Sequence, residues 1–357
     1  VNAGSAARPL DPAEGPGPVD WGVATATALR LLRPGPVIAR DAAQAAVRGM
    51  RELSVSAEAH VRDITGLGHD LPLLPGDVVD RPAWVRAAVD GLAALTDHAL
   101  PRGTAGWRGG VMAGTAGVQA GMVLAYLSTR VLGQYDPFGG DDGGGRLLLV
   151  APNIVAAQQA LRVPEQDFWM WVSLHESTHR LQFTAVPWLR DHFAGQVGTL
   201  LSTMDETSAG LLSRAGEALR SARRREGEDA PVALVELLQS PKQRAVLDRI
   251  IALSTLLEGH ADHVMDAAGP AIVPSVATIR SRFTVRRNPR GVADRVLRAL
   301  LGVDAKIRQY AQGSAFTGHV VDRVGMAGFN QVWTSPETLP TRAEIADPDA
   351  WIRRVPG

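Results

Sequence analysis

The chain has 357 residues, 45% of them hydrophobic, enough for one or two buried cores, and length alone favours two domains. Its 37 basic and 37 acidic side chains cancel to zero formal net charge, which argues against a nucleic-acid-binding surface. With no cysteine, disulfides, thiolate metal ligands and a cysteine nucleophile are all excluded.

The first twenty residues carry Pro9, Pro12, Pro16 and Pro18 and lack both the basic start and the apolar core of a signal peptide. They read as a flexible tail over residues 1–20, and the expected compartment is cytoplasmic. Apolar periodicity then predicts helices over residues 21–32, 39–53, 83–99 and 113–132, with breaks at 34–36, 66–76 and 101–110. These helices are expected to form an N-terminal helical domain over residues 21–145. Residues 109–129 are uncharged for about the length of a bilayer span. Their glycines, with Gln119 and Ser128, suit a close-packed helix better, so no stable membrane span is expected. The run GGDDGGG at 139–145 lacks the strand, helix and Lys-Ser/Thr of a nucleotide loop and reads as a flexible connection. Residues 146–154, RLLLVAPNI, form a continuous apolar run that predicts a short buried strand.

The next helix carries the most informative residues. Pro164, Glu165 and Asp167 suit a helix start and Pro187 ends the run. Between them Phe168, Trp171, Val172, His175, His179 and Gln182 follow helical spacing, so both histidines continue an inward stripe. His175-Glu176-Ser177-Thr178-His179 reads HExxH, which turns two imidazoles into one coordination sphere with a carboxylate beside them. Two histidines on zinc need a third protein ligand and an open fourth position, and without cysteine that ligand must be His, Asp or Glu.

After a polar connection near residues 221–231, a second helix is signalled by Ser240, Pro241 and Gln243 and closed by Gly269-Pro270. Late in it lies Glu258-Gly259-His260-Ala261-Asp262-His263. Glu258 and Asp262 share a face while His260 points nearly the opposite way. Glu258 is therefore expected as third ligand and Asp262 as the acceptor that orients a ligating imidazole. His263 and Asp266, three apart, form a further pair on a neighbouring stripe. Of the basic clusters, 223–225 lies among acidic residues and reads as solvated, and 280–290 is the stronger patch, suited to an acidic peptide or a phosphate. Tyr310 is a candidate donor to an oxyanion, with packing near Phe316 as its alternative role.

The segments Val131 to Asp136 (VLGQYD), Ala151 to Ile154 (APNI), Trp171 to Phe183 (WVSLHESTHRLQF) and Glu258 to Asp266 (EGHADHVMD) resemble a zincin-like metallopeptidase family of actinobacteria and related lineages. Part of that family is associated with deazaflavin coenzyme biosynthesis. The tail, from Gln309-Tyr310 through Trp333 to Trp351, also resembles the family, so the likeness runs from about Trp84 to the end. It implies a zinc-dependent fold with His175, His179 and Glu258 as ligands and Glu176 as general base. The separation of Glu258 from the pentad is longer than in the best-known zincins with a glutamate ligand, which keeps His260 and His263 open as alternatives.

The expectation is a predominantly α-helical α+β protein with a small sheet, a zincin-like catalytic domain over residues 146–357, and one zinc ion (Zn2+). The expected reaction is hydrolysis of a peptide or protein substrate, or of a related amide. The competing reading is a non-enzymatic zincin-derived scaffold that binds a partner protein. Oligomeric state cannot be read from the sequence.

Overall fold

The computed structural model describes residues 18–99, 109–140, 144–207, 241–286 and 303–355. Strand β3 (Arg146–Val150) explains how its layers are arranged. Leu147 and Leu149 enter the core built by helices α2 (Arg40–Thr65) and α6 (Glu165–Thr184), while Leu148 and Val150 enter the core built by α1 (Trp21–Leu31), α3 (Arg81–Ala99) and α4 (Gly109–Leu127). A strand buried on both faces needs apolar residues at every position, so the run shows no alternation. Strand β1 (Asp77–Val79) pairs with it in parallel, Val78 opposite Leu149, and β2 (Gly133–Asp136) pairs antiparallel, Gly133 opposite Leu149. The order β1-β3-β2 leaves β3 central and makes β2 an edge strand.

The strand is shorter than the expected 146–154. Residue 151 begins α5 (Ala151–Leu161), with Pro152 in the first turn where its missing N–H costs nothing. Asn153 is buried there; its amide donates to the Ser128 and Val131 carbonyls (2.7 Å each) and its oxygen accepts from Arg81 Nε (2.8 Å). The same contacts end α4 at Leu127 rather than 132. Ser128 and Thr129 hydroxyls bond back to the carbonyls of Ala125 and Tyr126, and the chain turns into β2.

Helix α2 runs to Thr65 instead of ending at 53. Ala46, Met50, Ala57 and Val61 form a buried stripe at spacings of four and seven, and burial of Met50 or Val61 contributes roughly 1.5 to 3 kcal/mol. Glu58 and Arg62 are buried as well, and Glu58 pairs with both Arg62 and Arg180 of α6. The two arginines also hold the following loop, Arg62 through the Pro72 carbonyl (2.9 Å) and Arg180 through those of Leu74 and Pro75. Gly66, at φ 71°, closes α2 in the left-handed conformation that favours glycine.

The remaining helices are α7 (Leu189–Thr207), α8 (Pro241–Ile272), α9 (Val276–Arg286) and α10 (Val303–Phe329), followed by two 3-10 turns and the short helices α11 (Arg342–Ala346) and α12 (Pro348–Arg354). α8 starts at Pro241 as expected, and its regular geometry breaks at Gly269 (φ 57°), just before Pro270. It packs Leu253, Leu256 and Leu257 against Phe316, Phe329 and Trp351 in a third core. Gly259 and Gly313 let α8 and α10 cross backbone to backbone. A Cβ on Gly259 would lie 2.1 Å from the Gly313 carbonyl carbon. Gly259→Ala is therefore expected to cost at least about 3 kcal/mol, read as a fall in Tm of roughly 5 °C or more. An unchanged Tm would show that the helices do not touch there.

The fold is the expected one, mainly helical with a small sheet. Among the described residues no helix is long and apolar enough to cross a membrane. Two glycines of α4 serve packing: a Cβ on Gly117 or Gly121 would lie 2.5 Å from the carbonyl oxygen of Asp20, the N-cap of α1, or of Ala24 within it. Most of the expected tail, the centre of the GGDDGGG run and the 223–225 cluster lie outside the described residues. Of the second basic patch, Arg280 pairs with acids of α8 and Arg282 donates to the Leu161 and Arg162 carbonyls.

Candidate metal centre

Helix α6 is buried on nearly every side, because it passes between α2, the sheet and α8, and so it buries Ser173, Glu176, Ser177, Thr178, Arg180 and Gln182 along with its apolar residues. On one face His175 and His179, four residues apart, bring their Nε2 atoms to 3.2 Å with the rings nearly perpendicular at 88°. Helix α8 supplies Glu258, whose Oε2 lies 3.5 Å from His175 Nε2 and 3.8 Å from His179 Nε2. Two ligands about 2.05 Å from a tetrahedral zinc stand about 3.3 Å apart; the 3.2 and 3.5 Å separations fit that spacing, and the 3.8 Å between His179 and Glu258 is somewhat wider. Among the described residues this is the one grouping of three such side chains able to hold an ion. The side chains keep 23%, 15% and 18% exposure, so the cluster is partly accessible to solvent.

Glu176 is 6% exposed and lies against β2. A Cβ on Gly133 would fall 2.5 Å from Glu176 Cγ and 2.8 Å from Oε1, so only glycine lets the edge strand come this close. The carboxylate acts on His179 through its charge. Behind His179, Gln182 Oε1 lies 2.8 Å from the ring Nδ1 and accepts its proton, so that the proton given up on binding a metal is the one on Nε2, which faces Glu258.

Asp262 does not take the place expected for it. Its carboxylate accepts from Arg280 at 3.0 Å, its carbonyl accepts from the same guanidinium at 2.9 Å, and the residue that meets a ligating imidazole is Gln182. Arg280 of α9 takes the Asp262 carboxylate instead. His260 is fully buried at the back of the site, stacked on Phe329, and His263 stands outside the three-residue grouping. Tyr310 lies on α10 three residues before the Gly313 crossing, and its side chain is outside the described residues.

Two helices thus present His, His and Glu with a carboxylate beside them, and the family model of the zincin-like metallopeptidases matches residues 19–352. The chain belongs to that family. The match begins well before Trp84 and takes in the N-terminal helices. A protein from Chloroflexus aurantiacus, its crystal structure provisionally classed as a hydrolase with a novel fold, is similar along its length. The two share 32% identity at a TM-score of 0.66, over 94% of this chain and 98% of that one. No protein of curated function matches.

In this zincin-like site the metal-free His179 is pushed up to about 8. Burial lowers it, but the hydrogen bond and charge of Glu258, the charge of Glu176 and the Gln182 hydrogen bond outweigh burial. His260, by contrast, is pushed down to about 3, first by burial and then by the charges of His263 and His179. The raised His179 stabilises the metal-free fold fully below its ordinary 6.5, and that contribution fades as pH rises through 8. Metal binding needs the unprotonated ring, so the same proton opposes it. Divalent-metal affinity is expected to rise about tenfold per pH unit between 6.5 and 8 and then flatten. Chelator competition across pH measures this, and a flat profile through the window would remove His179 from the ligand set.

Proposed function

We propose that the chain is a zinc-dependent peptidase, with a peptide or related amide as substrate, His175, His179 and Glu258 as ligands and Glu176 as general base. The observation that carries the reading is the pairing of a partly exposed three-residue cluster with the nearly buried carboxylate of Glu176 beside it, held against Gly133. A structural site is closed by four protein ligands and has no use for a neighbouring base.

Zinc held there would supply Lewis acidity, lowering the pKa of a coordinated water to about 7 and polarising a carbonyl. The rest of the reaction falls to the chain itself. Glu176 accepts the proton of the attacking water and returns it to the leaving amine nitrogen, and the contact with Gly133 limits the rotamers available to it. Strand β2, not β3, offers the edge beside Glu176, so an extended substrate would lie along Gly133 to Asp136. Tyr310 is retained as the donor to the developing oxyanion.

The test is hydrolysis of a mixed peptide library by the zinc-loaded protein. Cleavage is expected to vanish on chelation and to return with added zinc. Cleavage that survives complete metal removal would sink the reading.

A further inference from the structure

We infer that Gln182 and His260 form a buried relay that fixes the tautomer and orientation of His179, which makes Gln182 a positioning residue for the metal site. The inference rests on the metal reading above. Both side chains are fully buried. Gln182 uses its whole amide: Oε1 accepts from His179 Nδ1 (2.8 Å), while Nε2 donates to the Leu257 carbonyl (2.9 Å) and to His260 Nδ1 (3.0 Å).

The proton positions follow from this pattern. A carbonyl only accepts, so Leu257 fixes which end of the amide is nitrogen. The oxygen must then face His179, and His179 must carry its proton on Nδ1, with the Nε2 lone pair turned to the ligand cluster. The second amide N–H needs an acceptor, so His260 Nδ1 is bare and its proton sits on Nε2.

His260 is otherwise hard to explain. Its ring stacks on Phe329 (centroids 5.1 Å apart) and lies 5.5 Å from Trp333, a pocket that an apolar side chain would fill as well. Its Nε2 is buried and finds no hydrogen-bond partner among the described residues, which is a cost. The feature that offsets that cost is Nδ1, the acceptor behind Gln182. Leu257 precedes the ligand Glu258, so the relay also ties α6 to α8 directly behind their ligands and holds His179 and Glu258 at their separation.

Two experiments test the relay. Zinc affinity by chelator competition is measured for wild type, Gln182→Met, His260→Phe and the double variant, with circular dichroism of each metal-free protein as the check on folding. Gln182→Met is expected to lose about tenfold to a hundredfold in affinity. His260→Phe should lose less, and the double variant should be no weaker than Gln182→Met, because the two act in series. Equal affinity in wild type and Gln182→Met, or losses that simply add, overturns the relay while leaving the metal site intact. A wild type that takes up no zinc overturns both. Histidine-selective 15N NMR of the zinc-loaded wild type needs no variant and so decides the matter even where Gln182→Met does not fold. The expected spectrum has His179 protonated on Nδ1 and His260 on Nε2, and a His260 proton on Nδ1 refutes the relay.

Discussion

Glu258→Ala is expected to abolish stoichiometric zinc binding, with His175→Ala as its companion. Glu258 lies within 4 Å of both imidazole Nε2 atoms and brings the negative charge of the three-ligand set. Its removal leaves two neutral donors from one helix. The affinity loss should exceed the tenfold to hundredfold typical of residues that merely orient a ligand, at roughly a thousandfold or more. At a free zinc concentration a thousand times the wild-type Kd, binding stabilises the fold by about 4 kcal/mol. The variant should lose most of the corresponding rise in Tm. Glu258 is also the main partner that raises His179, so in the metal-free variant His179 should titrate below its wild-type value of about 8. Elemental analysis and paired melting curves read the first two effects. Full zinc occupancy in Glu258→Ala at wild-type affinity would take Glu258 out of the ligand set and reopen the place to another residue.

The centre of the site was legible because its geometry is local. His175 and His179 share a helix, and spacing alone sets their faces. Glu258 was reachable because the absence of cysteine narrowed the donor types and the α8 capping signals placed it on a helix. Residues whose role depends on a third element were not reachable. Asp262 was assigned from its helical face, but which group meets that face depends on α9, whose Arg280 arrives from eighteen positions along the chain. Gln182 was visible as an inward position, but its role needs the Leu257 carbonyl and His260 of a helix 75 residues and more away. Gly133 is the kind of residue that leaves a signal, since a glycine inside a strand marks a close approach of other atoms, but its four-residue strand falls between the expected helix over 113–132 and the expected strand at 146.

The fold follows the same division. Its class was readable from periodicity, whereas its boundaries were set by tertiary polar contacts. Helix α2 seemed to end where Ser54, Glu58 and Arg62 interrupt the apolar pattern. Those residues are buried: Ser54 accepts the Gly76 amide (2.8 Å), and Glu58 sits between Arg62 and Arg180. Apolar counting cannot see a core position filled by a paired charge. In β3 the opposite failure occurred, since a continuous apolar run gives no sign of where a buried strand becomes a buried helix. Pro152 was the available cue, through its preference for a first helical turn.

The remaining expected result separates an enzyme from a scaffold. Glu176→Gln keeps the size of the side chain and most of its packing against Gly133, but removes the group that takes up a proton. Zinc content and Tm should therefore stay near wild type, while turnover of any peptide that the wild type cleaves should fall at least about a hundredfold. Because the proton moves only in the reacting complex, the loss should appear in kcat more than in KM. A loss of zinc in this variant would instead make Glu176 a ligand, contrary to its place outside the three-residue cluster. Equal turnover by wild type and Glu176→Gln would refute the peptidase mechanism. Should the wild type cleave nothing and Glu176→Gln still sustain the cellular role, the chain is a metal-stabilised scaffold for a partner protein, and the carboxylate beside the histidines has no catalytic part.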